Sequence, residues 1–106
     1  MLPTEAGRKY FKDKEEKGLA MIEEAIPEAI EVGLFGSYAR DQHTLLSDID
    51  FYVVTPTKLD RHRISELRCN MDEENMDVFF MSKEYYDTSE DIIVKNIKRD
   101  RRILHV

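Results

Sequence analysis

The spacing of apolar residues predicts a helix and then a strand in the first third of the chain. From position 15 the apolar residues recur at helical intervals until Pro27 ends the pattern; they are Leu19, Ile22, Ala25 and Ile26. Residues 29–35 form a dense apolar run that predicts a strand, and this strand ends at Gly36 and Ser37. A short helical turn at residues 38–40 follows, and residues 41–47 are typical of a loop.

The middle of the chain carries the clearest strand. Residues 48–54 are rich in β-branched and aromatic side chains, and Pro56 follows the run. Residues 58–72 space their apolar positions among charges, which predicts an amphipathic helix lying across a sheet. Residues 76–81 predict a third strand.

The last quarter of the chain is predicted to be mainly helical. Residues 82–84 are candidates to cap a short helix at residues 85–86, and a further helix begins at about Ser89. The second helix is predicted to place three apolar residues on one side: Ile92, Ile93 and Ile97. The apolar tail at residues 101–106 is either an edge strand or a contact surface. This order of elements predicts an α/β (α+β) fold with a small mixed sheet flanked by helices.

Composition narrows the class of protein. A chain of 106 residues predicts a single domain over residues 1–106, and a formal charge of −6 argues against broad nucleic-acid binding. No apolar run reaches the roughly 20 residues of a membrane span, and no signal peptide is evident. The single Cys69 cannot form an internal disulfide. We therefore expect a soluble cytoplasmic domain.

Two aspartates interrupt the apolar pattern of the strand predicted at residues 48–54. Side chains alternate across a strand, so Asp48, Asp50 and Tyr52 share one face. Carboxylates about 7 Å apart on one face repel each other, and burial would raise the pKa of one of them. A bound cation removes this cost, and Mg²⁺ prefers hard oxygen ligands, typically one or two carboxylates together with substrate phosphates. The pattern therefore predicts a Mg²⁺ site at this strand.

A third aspartate, Asp77, lies at the start of the strand predicted at residues 76–81. If this strand lies beside the strand at residues 48–54, Asp77 can point to the same face. It would then complete a site for one or two divalent ions, as phosphoryl or nucleotidyl transfer requires. The alternative is that Asp48 and Asp77 are polar residues at strand starts, because Asp is common in turns.

A glycine and a serine separate the strand at residues 29–35 from the short helical turn. Gly36 allows a phosphate to approach the backbone, the first N–H groups of a helix attract anions, and Ser37 adds a hydroxyl donor. Arg40 lies one turn further along with a fixed positive charge. The alternative is an ordinary helix start after a glycine turn. No Walker-type lysine follows, so the segment is not a P-loop.

Together these residues resemble the minimal nucleotidyltransferases of the DNA polymerase β-like superfamily. The matching pattern is a Gly-Ser turn, an Ala-Arg pair, a Ser-Asp-x-Asp strand start and a third acid on a later strand. The residues that carry the resemblance are Gly36, Ser37, Ala39, Arg40, Ser47, Asp48, Asp50 and Asp77. The motifs cover residues 18–81. The chain departs from the family at Asp41, where the family often has glycine.

The resemblance implies the polymerase β-like nucleotidyltransferase fold and a Mg²⁺-dependent nucleotidyltransferase activity. Gly36 and Ser37 would hold the triphosphate of an NTP, and Arg40 would support the phosphates or the fold. An acid at position 41 would either weaken triphosphate binding or point to solvent.

The resemblance also assigns roles to the three acids. Asp48 and Asp50 would bind Mg²⁺, and Asp77 would help to activate the acceptor hydroxyl as a metal ligand or as a base. The reaction would be an in-line attack on the α-phosphorus with pyrophosphate leaving.

The resemblance finally implies a partner. Minimal members of the family often pair with a small helical HEPN protein as antitoxin and toxin, and they neutralise the toxic ribonuclease by moving AMP onto a tyrosine. We therefore expect binding of ATP or another NTP, transfer of NMP with AMP favoured, a HEPN-type partner, and a homodimer or other partner completing the half-open site. Two alternatives stay open: a non-catalytic antitoxin that neutralises by occlusion, and a nucleotidyltransferase for a small molecule such as an aminoglycoside.

Overall fold

The computed structural model describes residues 5–40 and 48–106 of the chain. Helices and strands alternate in a mixed α/β arrangement. The helices are α1 (Glu5–Ala25), α2 (Gly36–Ala39), α3 (Arg61–Asp72), α4 (Lys83–Thr88) and α5 (Ile92–Asp100). The strands are β1 (Glu31–Phe35), β2 (Ile49–Thr55), β3 (Met76–Ser82) and β4 (Arg102–His105). No helix among these residues is long and apolar enough to cross a membrane.

The four strands form one mixed sheet in the order β3-β2-β1-β4. β1 is antiparallel to both β2 and β4, whereas β2 and β3 are parallel. The parallel pair needs a crossover connection, which α3 supplies. The predicted fold class is confirmed, and the tail at residues 101–106 supplies the edge strand β4.

The sheet buries apolar residues on both faces. On one face α1 and α3 cover the sheet with a core that includes Phe11, Ile22, Leu67 and Met71. On the other face α4 and α5 pack Tyr86, Val94 and Ile97 against Tyr52 and Val54 of β2. Two packed faces explain why β2 is a near-continuous apolar run: all its residues except the half-buried Asp50 are buried.

Helix starts follow capping side chains. α3 begins at Arg61 rather than at residue 58, because the Asp60 side chain accepts a hydrogen bond from the His62 N–H at 3.3 Å. Ser82, one of the candidate caps, accepts from the Tyr85 N–H at 3.2 Å, so α4 begins at Lys83 rather than at residue 85.

The prediction that Ile92 lies on the apolar side of the last helix is wrong. α5 begins at Ile92 itself rather than near Ser89, and the side chain of Ile92 is 73% exposed. Val94 and Ile97 are buried and define the inner face of α5. At about 100° per residue, Ile92 lies roughly opposite Val94, so it points to solvent.

Gly18 lets α1 lie directly against β2 and β3. A Cβ atom at this position would lie 2.5 Å from Cζ of Phe51 and 2.9 Å from Sδ of Met76. Phe51 and Met76 are both buried, so neither side chain can move away freely.

We expect Gly18→Ala to destabilise the protein by about 1 kcal/mol in urea unfolding. Overpacking against the Phe51 ring costs about 1–3 kcal/mol, which exceeds the gain of about 1 kcal/mol in helix propensity. Ala20→Gly, at an exposed position on the same helix, measures the propensity contribution alone. A Gly18→Ala variant more stable than the wild type would show that the contact with Phe51 does not limit the approach of α1.

Candidate active site

The parallel pairing of β2 and β3 brings two of the predicted acids together. Asp50 and Asp77 are direct partners in the strand register, and adjacent strands lie about 4.8 Å apart. Asp48 stands two residues before Asp50, immediately ahead of β2. Asp48 and Asp77 are exposed and Asp50 is half-buried, so the cluster opens to solvent at the start of both strands.

The three carboxylates interact electrostatically. Burial, the charge of Asp77 and the charge of Asp48, in that order of importance, together raise the pKa of Asp50 from its ordinary value of 3.8 to about 6. Burial and the two neighbouring negative charges therefore make the ionised form of Asp50 costly when no cation is bound. A cluster of this kind favours a bound cation.

The backbone orients one of these carboxylates. Oδ1 of Asp77 accepts a hydrogen bond from the N–H of Val78 at 2.9 Å. The other oxygen, Oδ2, makes no hydrogen bond to the described residues. Asp77 can therefore present Oδ2 in a fixed direction from β3, which lies at the edge of the sheet.

The Gly-Ser turn lies against the same acids. β1 and β2 pair so that Phe35 is opposite Asp50, and Gly36 follows at once as the first residue of α2. Gly36 has φ 77°, in the left-handed region that side chains rarely adopt. A Cβ atom there would lie 2.5 Å from Oδ2 of Asp50. Glycine is therefore required both by the turn and by the closeness of the carboxylate.

The start of α2 has no side-chain cap. Its N-cap residue, Phe35, has no side chain that could accept from the first N–H groups of the helix. Ser37 is half-buried, and its hydroxyl makes no hydrogen bond within the described part of the chain.

A sequence comparison identifies the family. The sequence model of the nucleotidyltransferase domain matches residues 16–105. The chain belongs to the nucleotidyltransferase domain family. No curated protein matches the chain by sequence.

Solved structures share the fold of this nucleotidyltransferase domain. A toxin–antitoxin complex with AMP-PNP is 21% identical with a TM-score of 0.67, over 87% of this chain and 73% of that chain. A complex of the tri-AMPylated Shewanella oneidensis HEPN toxin with its MNT antitoxin is 20% identical with a TM-score of 0.63, over 90% and 72%. The MntA–HepT toxin–antitoxin complex is 18% identical with a TM-score of 0.62, over 90% and 73%. At these identities the likeness shows the polymerase β-like nucleotidyltransferase fold.

The acids of the nucleotidyltransferase domain fit a divalent metal ion. Carboxylate oxygens are hard ligands, and Mg²⁺ commonly takes one or two of them with substrate phosphates and water. The pKa of Asp50 is raised first by burial and then by the charges of Asp77 and Asp48, and a cation would offset all three effects. Among the described residues no group of three or more acids, histidines or cysteines is arranged as a metal-binding cluster by itself. Asp48, Asp50 and Asp77 would therefore need phosphate oxygens to complete the coordination of the ion.

Arg40 is directed toward the end of α5. Its Nη1 lies 3.6 Å from Oδ2 of Asp100, and its side chain is 41% exposed. The structure thus gives Arg40 a contact within the fold, beside the turn that carries Ser37. Sequence reasoning missed Asp100, because nothing in the motif signals an acid sixty residues later in the chain.

Part of the motif lies outside the described residues. Asp41, which stands where the family often has glycine, and Ser47, which begins the Ser-Asp-x-Asp pattern, both fall in the segment 41–47.

Proposed function

We propose that this chain is a Mg²⁺-dependent nucleotidyltransferase that moves an NMP, with AMP favoured, from an NTP to a hydroxyl of a partner protein. We further propose that the partner is a HEPN-type toxin with an acceptor tyrosine, so that the chain acts as the antitoxin. The whole chain, residues 1–106, would act as one domain in the cytoplasm.

One observation carries the proposal: the Gly-Ser turn and the acidic strands form a single site. Gly36 lies so close to Asp50 that no Cβ fits between them, and Asp50 is paired in register with Asp77. A phosphate held at the turn would therefore lie beside carboxylates able to bind a divalent ion. Nucleotidyl transfer requires this proximity, whereas a structural glycine turn does not.

The residues divide the chemistry between them. Gly36 and Ser37 would hold the triphosphate, and Arg40 would support this turn from its far end. Asp77 would help to activate the acceptor hydroxyl, as a metal ligand or as the base that takes up its proton. The hydroxyl oxygen forms a bond to the α-phosphorus while the bond from that phosphorus to the bridging oxygen breaks, and pyrophosphate leaves. A divalent ion held by Asp48, Asp50 and Asp77 would stabilise the negative charge that develops.

The partner is inferred from the fold relatives. One of them is an antitoxin bound to an AMPylated HEPN toxin, and another is a toxin–antitoxin complex with AMP-PNP. These relatives support ATP as donor and a protein as acceptor. The site also opens to solvent at Asp48 and Asp77, as access for a protein hydroxyl requires.

The test uses ATP labelled at the α-phosphate, with γ-labelled ATP in parallel. Each is incubated with Mg²⁺, the purified protein and an extract of its source cells. We expect a protein band to take up the α-label and not the γ-label. Asp50→Asn should abolish labelling, whereas Asp13→Asn, which removes a charge from an exposed position on α1, should preserve it.

Two outcomes would contradict the proposal. Labelling by the γ-phosphate would indicate phosphoryl rather than nucleotidyl transfer. No labelling, combined with toxin neutralisation that survives the double change of Asp48 and Asp50 to Asn, would favour the non-catalytic antitoxin that acts by occlusion.

A further inference from the structure

α2, the helix that contains Gly36 and Ser37, is too short to be stable without contacts to other elements. α2 has four residues, and its N-cap residue makes no capping hydrogen bond. A single helical turn is unstable in isolation because one hydrogen bond does not offset the ordering of its residues. The position of α2 must therefore come from contacts with other elements.

The first of these contacts is to α1. The hydroxyl of Tyr38 donates a hydrogen bond to Oε2 of Glu15 at 3.0 Å, and Nη2 of Arg102 donates to the same oxygen at 2.9 Å. The Arg102 guanidinium also lies over the Tyr38 ring, 5.3 Å from its centroid. Tyr38 is 8% exposed, and burial together with Glu15 raises the pKa of its hydroxyl. Glu15, a residue of α1, thus binds both Tyr38 of α2 and Arg102 of β4.

The second contact is to the end of α5. Asp100 accepts from Nε and Nη2 of Arg99 at 2.9 and 3.1 Å, and its Oδ2 lies 3.6 Å from Nη1 of Arg40. The Asp100 side chain is only 7% exposed. The hydrogen bond from Arg99, and then the charges of Arg99 and Arg40, lower the pKa of Asp100, so it stays ionised at neutral pH.

These contacts hold the C-terminal half of α2 on two sides. Tyr38 is held by Glu15, and Arg40, just after the last residue of α2, is held by Asp100. Gly36 and Ser37 immediately precede the held residues, and Gly36 lies against Asp50. A shift of α2 would therefore move the turn relative to the acids.

We propose that Glu15 and Asp100 are positioning residues that fix α2, and with it Gly36 and Ser37, at the distance from Asp50 that nucleotide binding requires. This inference rests on the proposed function for its consequence, but the fixing of α2 can be measured without any nucleotide. Neither acid contacts the nucleotide: each acts through a residue of the turn region.

The experiment compares Glu15→Gln and Asp100→Asn with two control variants. Glu74→Gln breaks the exposed pair with Lys17 at 2.7 Å, and Asp87→Asn breaks the exposed pair with Lys83 at 2.8 Å. Neither control pair includes a residue of α2, and each control matches its test variant in residue type. All proteins are full-length and are compared by thermal unfolding before the other measurements.

The first readout is hydrogen exchange at the Arg40 amide, which donates to the carbonyl of Gly36 at 3.2 Å and so reports the closed turn. We expect this amide to exchange about tenfold faster in both test variants than in either control. The second readout is calorimetric titration with ATP and Mg²⁺, together with steady-state transfer. We expect Kd and KM for ATP to rise about tenfold while kcat changes less than threefold, because the acids position the binding turn and not the reacting atoms.

Exchange and ATP affinity that match the controls in both test variants would overturn the inference. A loss of kcat with unchanged KM would also overturn it, since it would place the acids in the chemical step. If the wild type binds no ATP, the proposed function fails, and the exchange rates alone decide whether Glu15 and Asp100 fix α2.

Discussion

Asp50→Asn is expected to reduce nucleotidyl transfer by a factor on the order of 10²–10³ while making the metal-free protein more stable. The loss follows because an amide carries no charge to hold a divalent ion, and losing one electrostatic partner at a reacting centre costs about this much. Most substitutions that inactivate an enzyme destabilise it or leave it unchanged. A variant that loses activity and gains stability would therefore show that Asp50 serves function and destabilises the fold.

The stability gain depends on pH in a defined direction. Asp50 has an ordinary pKa of 3.8 and a pKa of about 6 in the folded chain, so the folded state binds its proton more tightly. The wild type therefore loses stability as the pH rises from about 4 through about 6, and the cost is complete above about pH 7. This difference corresponds to about 3 kcal/mol, which solvent around the half-buried carboxylate reduces to about 1–2 kcal/mol.

Urea unfolding in the presence of a chelator measures this effect. We expect the free energy of unfolding of Asp50→Asn to exceed that of the wild type by about 1–2 kcal/mol at pH 7.5. At pH 4.5 the difference should be less than half of that. Asp13→Asn removes the same charge from an exposed helix position and corrects for the change in net charge. A variant less stable than the wild type at pH 7.5 would mean that Asp50 makes a stabilising contact, and the account of crowded carboxylates would be wrong.

The fold was predictable wherever one pattern dominates the local sequence. β2 is buried on both faces, so its run of β-branched and aromatic residues identified it. α5 was harder, because Ile92, Ile93 and Val94 are adjacent in sequence and only the helix start decides which of them face inward. That start is set by backbone geometry at Asp91, which makes no side-chain capping bond that a sequence pattern would reveal.

The residues of the candidate site could be predicted from the sequence, but the short distance between the Gly-Ser turn and the acids could not. Asp50 and Asp77 were expected on one face if their strands were neighbours, and the parallel register places them opposite each other. The contact of Gly36 with Asp50 could not be foreseen, because it depends on the antiparallel register that sets Phe35 opposite Asp50. Asp100 was missed for the same reason: tertiary packing alone brings the end of α5 to Arg40.

Gly36→Ala should have a large effect on both activity and stability. Alanine at φ 77° costs about 1–2 kcal/mol in backbone strain, and its Cβ would lie 2.5 Å from Oδ2 of Asp50. The carboxylate must then move, so we expect a destabilisation of about 2–3 kcal/mol and a loss of transfer of about 100-fold. Urea unfolding and the α-label assay measure the two effects.

A matched control separates backbone strain from the contact with the carboxylate. Asn75 also has a positive φ, 57°, and Asn75→Ala imposes a comparable backbone cost just before β3. We expect Asn75→Ala to lose about 1 kcal/mol of stability and to retain transfer.

The contact itself is tested in an Asp50→Ala background, where the carboxylate is absent. There Gly36→Ala should cost only its backbone strain, about 1 kcal/mol less than in the wild type. Equal costs in the two backgrounds would show that Asp50 does not meet the added Cβ. The turn and the acids would then not be held together in solution, and the single site on which nucleotidyl transfer depends would lose its main support.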